Sequence, residues 1–474
     1  MGSTNRQVEV AIIGAGTAGL AALRAVRRAT DDFLLINDGA FGTTCARVGC
    51  MPSKALIEVA NAFHRRGFLA RTGISGTEAL GVDTAAVLRH VRSLRDHYVS
   101  GVLALTEKLG DRVMAGRARF VDRETLEVAG QTIRAQRIIV ATGSRPAVPK
   151  AWLAFGDRIL TSDTLFEQES LPRRIAVIGL GAIGLEMAQA LARLGVEVTG
   201  FDALPHVGGL TDPHLAAQAK GLFAEEFAMH LGQPAELAAA GDAIRITAGD
   251  ESATVDVVLG ALGRRPNLDG LGLDSLGLEL DAHGKPEIDP HTMQVAGTPI
   301  FVAGDVSGLR ALQHEAADDG YIAGGNAVGA QIECFKRRVP LAIVFSDPNL
   351  AAVGQRFAEL APGESVVGEA DLKGQGRLRM AAADHGLIRL YAGARSGRLL
   401  GAELCAPAGE HLAHLLALAI QQDLTVNDML RMPFYHPVVE EGLRSALRDA
   451  ASRLPGSGGS DLANCSQAGA DALD

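Results

Sequence analysis

Two cysteines five positions apart, Cys45 and Cys50 in the segment TTCARVGCMPSK, are the residues whose type and spacing point most directly to chemistry. A thiolate is a nucleophile, and a dithiol that closes to a disulfide stores and releases two electrons. The pair is too close to staple a large loop, and it lacks the second cysteine pair of the usual zinc patterns. From the residues alone, two buried and inert cysteines remain the alternative. Position weighs against that alternative, because the segment directly follows a strand–turn–helix–strand unit built on a Gly-rich turn. Cys334, Cys405 and Cys465 are isolated and read as packing residues or, in the tail, a bystander.

That turn is GAGTAG, with Gly14, Gly16 and Gly19, and a second copy, GLGAIG, carries Gly179, Gly181 and Gly184. Each lies between an apolar strand pattern (Val8–Ile13; Arg174–Ile178) and a helical one (Leu20–Arg28; LEMAQALARLG). In such units the first glycine makes the turn, the second admits a pyrophosphate and the third lets helix and strand pack closely. The first glycines stand 165 residues apart, an internal repeat that implies two dinucleotides, one permanent and one exchanging. An acidic residue at the end of the following strand binds ribose hydroxyls. Asp202 closes VEVTGFD with no nearby arginine, which favours NADH over NADPH. In the first unit FLLIND offers Asn37, which lacks the charge, with Asp38 beside it.

The remaining chain must position these groups. Asp83–Leu109 reads as a long helix with Val87, Leu88, Val91, Leu94, Val102 and Leu105 apolar, followed by short strands near Arg117–Val121, Leu126–Ala129 and Arg137–Val140. ATGSRPAVP, with Pro146 and Pro149, punctuates a crossover. The strands VDVVLGALG and IFVAGDV come next, then a mixed region from Arg337 to Ser452 ending in PFYHPVVEEGLRSALRDA. The Gly/Ser/Ala-rich end is expected to be disordered. A chain of 474 residues implies two to four domains. Its net charge of -10 and lack of a basic cluster argue against nucleic acid. No run approaches the ~18 apolar residues of a membrane span, and no secretory pattern opens the chain, so a cytoplasmic protein is expected.

GAGTAG, TTCARVGCMPSK, ATGSRP, GLGAIGLE, FVAGDV and HPVVEE occur in the order found in class I pyridine nucleotide–disulfide oxidoreductases. From Val8 to Ala451 the chain resembles that family, and within it most resembles the dihydrolipoamide dehydrogenases. The resemblance implies an α/β fold: two Rossmann-like dinucleotide-binding domains plus a C-terminal α+β dimerisation domain. The expected division is FAD-binding domain 1–150, NAD-binding domain 151–269, a second FAD-binding or central part 270–336, dimerisation domain 337–452 and tail 453–474. It also implies tightly bound FAD, NAD/NADH as exchanging substrate, no metal, and a homodimer whose active sites are shared across the interface.

By the same resemblance Cys45 is the interchange thiol and Cys50 the thiolate near the flavin. Lys54 lies beside flavin N5 and pairs with Glu186, Asp305 bonds the ribityl chain, and His436 with Glu441 forms an acid–base pair reaching the other subunit. The implied FAD contacts are Gly14, Gly16, Gly19, Asn37, Asp38, Thr44, Lys54, Ala118, Thr142, Gly143, Ser144, Asp305, Leu312, Gln313 and His314. The implied NAD contacts are Gly179, Gly181, Ile183, Gly184, Glu186, Asp202 and Gly263. Taken singly, Lys54 and Glu186 read as a surface pair, Asp305 as a turn cap and His436 as a loop residue.

The chain departs from the common dihydrolipoamide dehydrogenase pattern in GTTCARVGC, where Arg47 places a positive charge near the sulfurs that would lower a thiol pKa or alter the acceptor. Ser53 and Asp202 argue against glutathione-type reductases. A tail with only Cys465 argues against mercuric and large thioredoxin reductases. Three functional expectations follow. The first is an NAD-linked dihydrolipoyl dehydrogenase serving the lipoyl domain of a 2-oxoacid dehydrogenase or glycine cleavage complex. The second is a relative acting on a quinone or another disulfide, and the third is a flavin-binding redox sensor with little turnover.

Overall fold

The structure is a computed structural model that describes residues 5–455 and 461–462. The expected disorder of the tail and the role of Cys465 fall largely or wholly on 456–460 and 463–474, outside the described residues. The chain forms two compact units: Met1–Leu56, Asp83–Ser170 and Leu262–Arg337 make the first, and Ile57–Val82, Leu171–Ala261 and Arg338–Asp474 the second.

In the first unit β1 (Asn5–Ile13) leads through the first Gly-rich turn into α1 (Thr17–Val26) and β2 (Phe33–Asn37). The short α2 (Thr44–Arg47) and then α3 (Cys50–His64), which runs on into the second unit's sequence, carry the cysteines; α4 is Thr84–Leu109. The Asp83 carboxylate caps α4 by accepting the Ala86 N–H at 2.9 Å. Strands β3 (Val113–Ala115), β4 (Ala118–Phe120), β5 (Thr125–Val128) and β6 (Gln131–Val140) complete a sheet of order β3-β2-β1-β6-β5-β4, with Ile300–Val302 also paired to β6. β6 starts six residues before the expected Arg137 because its first half pairs antiparallel with β5 as a hairpin. β1 pairs parallel with both β2 and β6, so both its edges are filled, and Val10 to Ile13 are all apolar and buried, as in a parallel strand covered on both faces. Helix Gln313–Val328 packs on α1 through small residues. A Cβ at Gly320 would stand 2.1 Å from the Ala18 carbonyl oxygen, so only glycine lets the two helices approach this closely.

The second unit repeats the motif: β7 (Arg174–Ile178), α5 (Ala182–Arg193), β8 (Glu197–Asp202), β9 (Ala228–Leu231) and β10 (Val257–Gly260), with the parallel order β9-β8-β7-β10. An antiparallel meander, Glu236–Ala240, Ala243–Ala248 and Glu251–Val255, is inserted before β10. It is absent from the sequence reading because its strands are rich in alanine and short polar residues, which carry weak β signals. Its turns are marked only by Gly241 and Gly249 at positive φ.

The C-terminal part of this unit is a five-stranded antiparallel sheet: β11 (Leu341–Val344), β12 (Asn349–Gly354), β13 (Ser365–Asp371), β14 (Leu387–Gly393) and β15 (Leu399–Ala406), ordered β11-β12-β15-β14-β13. One turn of helix, α6 (Gly376–Met380), lies between β13 and β14, and α7 (Gly409–Gln421) and α8 (Glu440–Ser452) follow the sheet. Leu390, Leu404, Leu412, Leu416, Leu443 and Leu447 form one core between sheet and helices. Among the described residues, no helix is long and apolar enough to cross a membrane.

Candidate active site

The two Gly-rich turns are built alike. Gly14 and Gly179 have φ of 110° and 93°, conformations open to glycine and strained for other residues. A Cβ at Gly19 would stand 1.8 Å from the Gly14 carbonyl oxygen, and one at Gly184 would stand 1.7 Å from that of Gly179. At Gly16 and Gly181, by contrast, a Cβ would meet nothing within 4 Å, so these faces are open. α1 and α5 both begin at these open glycines without a side-chain cap and without an acidic residue in the first turn. Their first N–H groups and the positive ends of their dipoles therefore suit an anion.

The strand-end residues also correspond. Asp202 accepts the Leu180 N–H at 2.5 Å and the Leu204 N–H at 2.8 Å. Asn37 accepts the Ala15 N–H at 3.0 Å through Oδ1 and donates to the Gly39 carbonyl at 3.1 Å. The amide thus reproduces the turn-bracing bond of the carboxylate, and Asp38 beside it is exposed. Gly14, Asn37, Asp38, Ala118 and Thr142 line one cleft of about 550 Å³ in the first unit. The cleft also recruits Gly116, Arg117, Arg145, Asn267 and Asp269, which the sequence reading missed. Arg145 donates to Asn267 at 2.8 Å and pairs with Asp269, and the Thr142 hydroxyl donates to the Asn267 carbonyl at 2.8 Å. ATGSRP was visible as a segment, but only folding brings Asn267 and Asp269 to it.

Ser144 donates to the Asp305 carboxylate at 2.6 Å and accepts from Arg264 Nε at 2.8 Å, so Asp305 is oriented from behind. Gly304, just before it, donates its N–H to the buried Asp319, which Arg337 holds at 2.6 Å. Gly143 adopts φ 68°, and Leu312 precedes the uncapped start of the helix that Gln313 and His314 open, both exposed. Gly263, the remaining nicotinamide-side glycine, has φ 90° and belongs to the first unit.

Cys45 lies in α2, whose start is capped by the Thr43 hydroxyl accepting the Ala46 N–H at 3.1 Å; Thr44 is the helix's first residue. Cys50 opens α3, with Lys54 one turn further on. Both sulfurs are partly buried, are not covalently joined and hydrogen-bond to each other. Sharing with Cys50, and then burial, push the Cys45 thiol far up, while the Lys54 charge acts in the opposite direction. The Cys45 thiolate is therefore disfavoured, and Cys50 stands at the start of a helix, where the positive end of the dipole favours a negative charge. The Arg47 stem packs against Gly42, so close that a Cβ there would come within 2.9 Å, and Lys54 is a cation acting on Cys45. Cys405 is a packing residue, with burial pushing its thiol up to about 12. Cys334, expected in the same role, is exposed.

In the second unit Glu186 is buried on α5 and accepts the Phe345 N–H at 2.8 Å; Ile183 is exposed at the start of that helix. Below Glu186 on the same helix, Gln189 and Arg193 engage Asp347, and Arg193 also forks onto Glu226. His436 and Glu441 are brought together, with Nδ1 2.9 Å from Oε1. The contact with His436 and the N–H of Val438 hold the Glu441 carboxyl below its usual range. The imidazole itself is 78% exposed, leaving its other nitrogen free to meet a reacting group.

Residues 8–320 match the family described as pyridine nucleotide-disulphide oxidoreductase, and residues 340–447 match that family's dimerisation domain. The chain is 31% identical over 464 residues to dihydrolipoyl dehydrogenase 2 of Haloarcula marismortui, an alignment covering 94% of this chain and 97% of that protein. It is 32% identical to the dihydrolipoyl dehydrogenase of Haloferax volcanii, covering 93% and 96%. Among solved structures, LpdA of Mycobacterium tuberculosis superposes with a TM-score of 0.80 at 27% identity, covering 93% of this chain and 99% of that one. The HOCl-induced flavoprotein disulfide reductase RclA of Escherichia coli, at 21% identity with the same coverages and a TM-score of 0.79, shares the fold.

Proposed function

The chain belongs to the pyridine nucleotide-disulphide oxidoreductase family, and from that premise we propose that it oxidises dihydrolipoamide with NAD through Cys45 and Cys50. It is a flavoprotein disulfide reductase that uses FAD and NAD, and its C-terminal region is the family's dimerisation domain. The observation that carries the reading is the hydrogen-bonded pair of sulfurs, Cys45 and Cys50. The residues fit both cofactors, since each Gly-rich turn offers an open glycine and uncapped N–H groups to a pyrophosphate.

Gly14, Gly16, Gly19, Asn37, Asp38, Thr142 and Asp305 would hold FAD, and Gly179, Gly181, Gly184 and Asp202 would hold NAD. FAD, when bound, supplies the two-electron link between nicotinamide and sulfur. A thiolate of the substrate attacks Cys45 of the Cys45–Cys50 disulfide, forming a mixed disulfide and releasing Cys50 as thiolate. The second substrate thiol then closes the lipoamide disulfide and releases Cys45. His436 of a second copy, oriented by its Glu441, takes the proton from the incoming thiol and returns it to Cys45 as that sulfur leaves, while the proton of the second thiol passes to solvent. Over the cycle the dithiol and NAD become the disulfide, NADH and one proton. Glu186 and Lys54 would support the cofactor side. Relatives named dihydrolipoyl dehydrogenase support the substrate, and a lipoyl domain is the corresponding macromolecular partner.

The test compares NAD reduction by dihydrolipoamide with NADH oxidation by glutathione disulfide and by a quinone, in the wild type and in Cys45→Ser. Turnover of dihydrolipoamide that vanishes in the variant is expected. Quinone reduction that persists in Cys45→Ser, without lipoamide turnover, would replace this substrate with the quinone; flavin without turnover on any of the three would leave a redox sensor.

A further inference from the structure

Gln375 caps α6, accepting the Leu378 N–H at 2.8 Å through Oε1. Serine, threonine, aspartate and asparagine are the usual residues for this task, because their short side chains reach the first turn with little loss of freedom. The longer glutamine does a second thing. Its Nε2 donates to the Val438 carbonyl at 2.7 Å, across 63 residues of sequence.

Val438 stands two residues beyond His436, and its N–H donates to Glu441 Oε2 at 3.2 Å while Glu441 Oε1 meets His436 Nδ1. Both backbone polar groups of Val438 are thus taken, one by the carboxylate that orients the imidazole and one by Gln375. The loop needs such anchoring, since Tyr435 and His436 are largely exposed and give it little packing of their own. The carboxylate's end is also fixed: Gly442 lets α8 seat on Leu372, where a Cβ would come within 2.5 Å of that side chain. Leu372, in turn, receives the Gln375 N–H on its carbonyl at 3.0 Å.

We infer that Gln375 is a positioning residue for the His436–Glu441 pair, tethering the Val438 peptide so that the imidazole is presented in one orientation to the disulfide site. The inference rests on the role proposed above for His436. Gln375 touches no reacting atom; it acts by limiting where the imidazole can be, and a displacement of about 1 Å of a catalytic group can cost about 100-fold in rate.

Two substitutions separate the tether from the cap. Gln375→Glu keeps an acceptor for the Leu378 N–H but sets a carboxylate oxygen against the Val438 carbonyl. Gln375→Lys keeps a donor for Val438 and loses the cap. The NADH-reduced holoenzyme is treated with iodoacetamide near neutral pH, and labelling of the Cys45 peptide is followed by mass spectrometry, with His436→Gln alongside; this readout needs no substrate. FAD content and the thermal midpoint report folding. The expected result is that Gln375→Glu and His436→Gln slow Cys45 labelling by about tenfold or more, as loss of the base leaves the thiol protonated, while Gln375→Lys stays within about twofold of wild type. If Gln375→Glu fails to fold, Gln375→Met, which removes the donor to the Val438 carbonyl, takes its place with the same expected result. Wild-type labelling in Gln375→Glu with slow labelling in His436→Gln overturns the inference alone, as does slow labelling in Gln375→Lys. Wild-type labelling in His436→Gln overturns the role of His436, and the inference with it.

Discussion

Replacing Gly184 with alanine should separate the two nucleotide sites. The added Cβ would stand 1.7 Å from the Gly179 carbonyl oxygen, and Cβ contacts under 3.0 Å are essentially never found, so α5 must retreat from the turn by more than 1 Å. The atom in the way is backbone, in a turn already committed to φ 93° at Gly179, so the obstacle cannot rotate aside. Retreat carries the N–H groups of the helix start away from the pyrophosphate. With about 100-fold lost per ångström of misplacement as a guide, the KM for NADH should rise by about that factor. FAD should remain, because its Gly-rich turn is a separate stretch of chain. The assay is flavin reduction under argon, titrated with NADH and compared with dithionite, which needs no nucleotide site. Gly184→Ala should stay yellow and be reduced normally by dithionite, with NADH saturation lost. Gly19→Ala, where the Cβ would meet the Gly14 oxygen at 1.8 Å, should instead be isolated without flavin. A Gly184→Ala enzyme with wild-type NADH dependence, or one that loses FAD while Gly19→Ala keeps it, would refute the assignment of the turns.

His436→Gln should lower dihydrolipoamide turnover by about 10²- to 10⁴-fold at neutral pH with FAD retained. The deficit should narrow as pH rises, because the raised Cys45 pKa means its thiolate becomes more abundant only on the alkaline side; a deficit independent of pH would contradict the base role. Asp202→Ala removes the acceptor for the N–H groups of Leu180 and Leu204 and the proposed ribose contact, so KM for NADH should rise about tenfold or more without loss of FAD. An unchanged NADH titration would remove Asp202 from the site. Arg193→Met removes the buried cation shared by Glu226, which keeps Gln189, and the half-exposed Asp347, and should destabilise the second unit by about 2 kcal/mol in urea unfolding. A loss well under about 1 kcal/mol would show that the partners find other donors or water.

The readable parts of the site were those with a short-range signature. A Gly-rich turn between strand and helix occupies six residues, and its φ and close-approach requirements are written into residue type. The sulfur pair lies within six residues, and His436 and Glu441 within six more, so each local constellation could be seen whole. The cleft wall was harder. Arg145, Asn267 and Asp269 are polar residues of ordinary type, joined by hydrogen bonds across more than 120 positions, and no periodicity signals such bonds. Lys54 shows the same limit: its charge acts on Cys45 because folding sets the two together, while the stem of Arg47 lies on Gly42.

The sequence by itself determined that two dinucleotide-binding turns exist, that a dithiol follows the first of them, and that an imidazole–carboxylate pair waits near the C-terminus. Each depends on backbone conformations and reactivities that few residue types can supply. Tertiary structure alone decided the balance that pushes the Cys45 thiol up. That balance comes from burial and from the contacts with Cys50 and Lys54, which are properties of packed space. It also decided how the groups are held: Asp305 through Ser144 and Arg264, and the loop of His436 through Gln375. Such supports are hydrogen bonds between segments far apart in the chain, and their partners become neighbours only when the sheets and helices close around them.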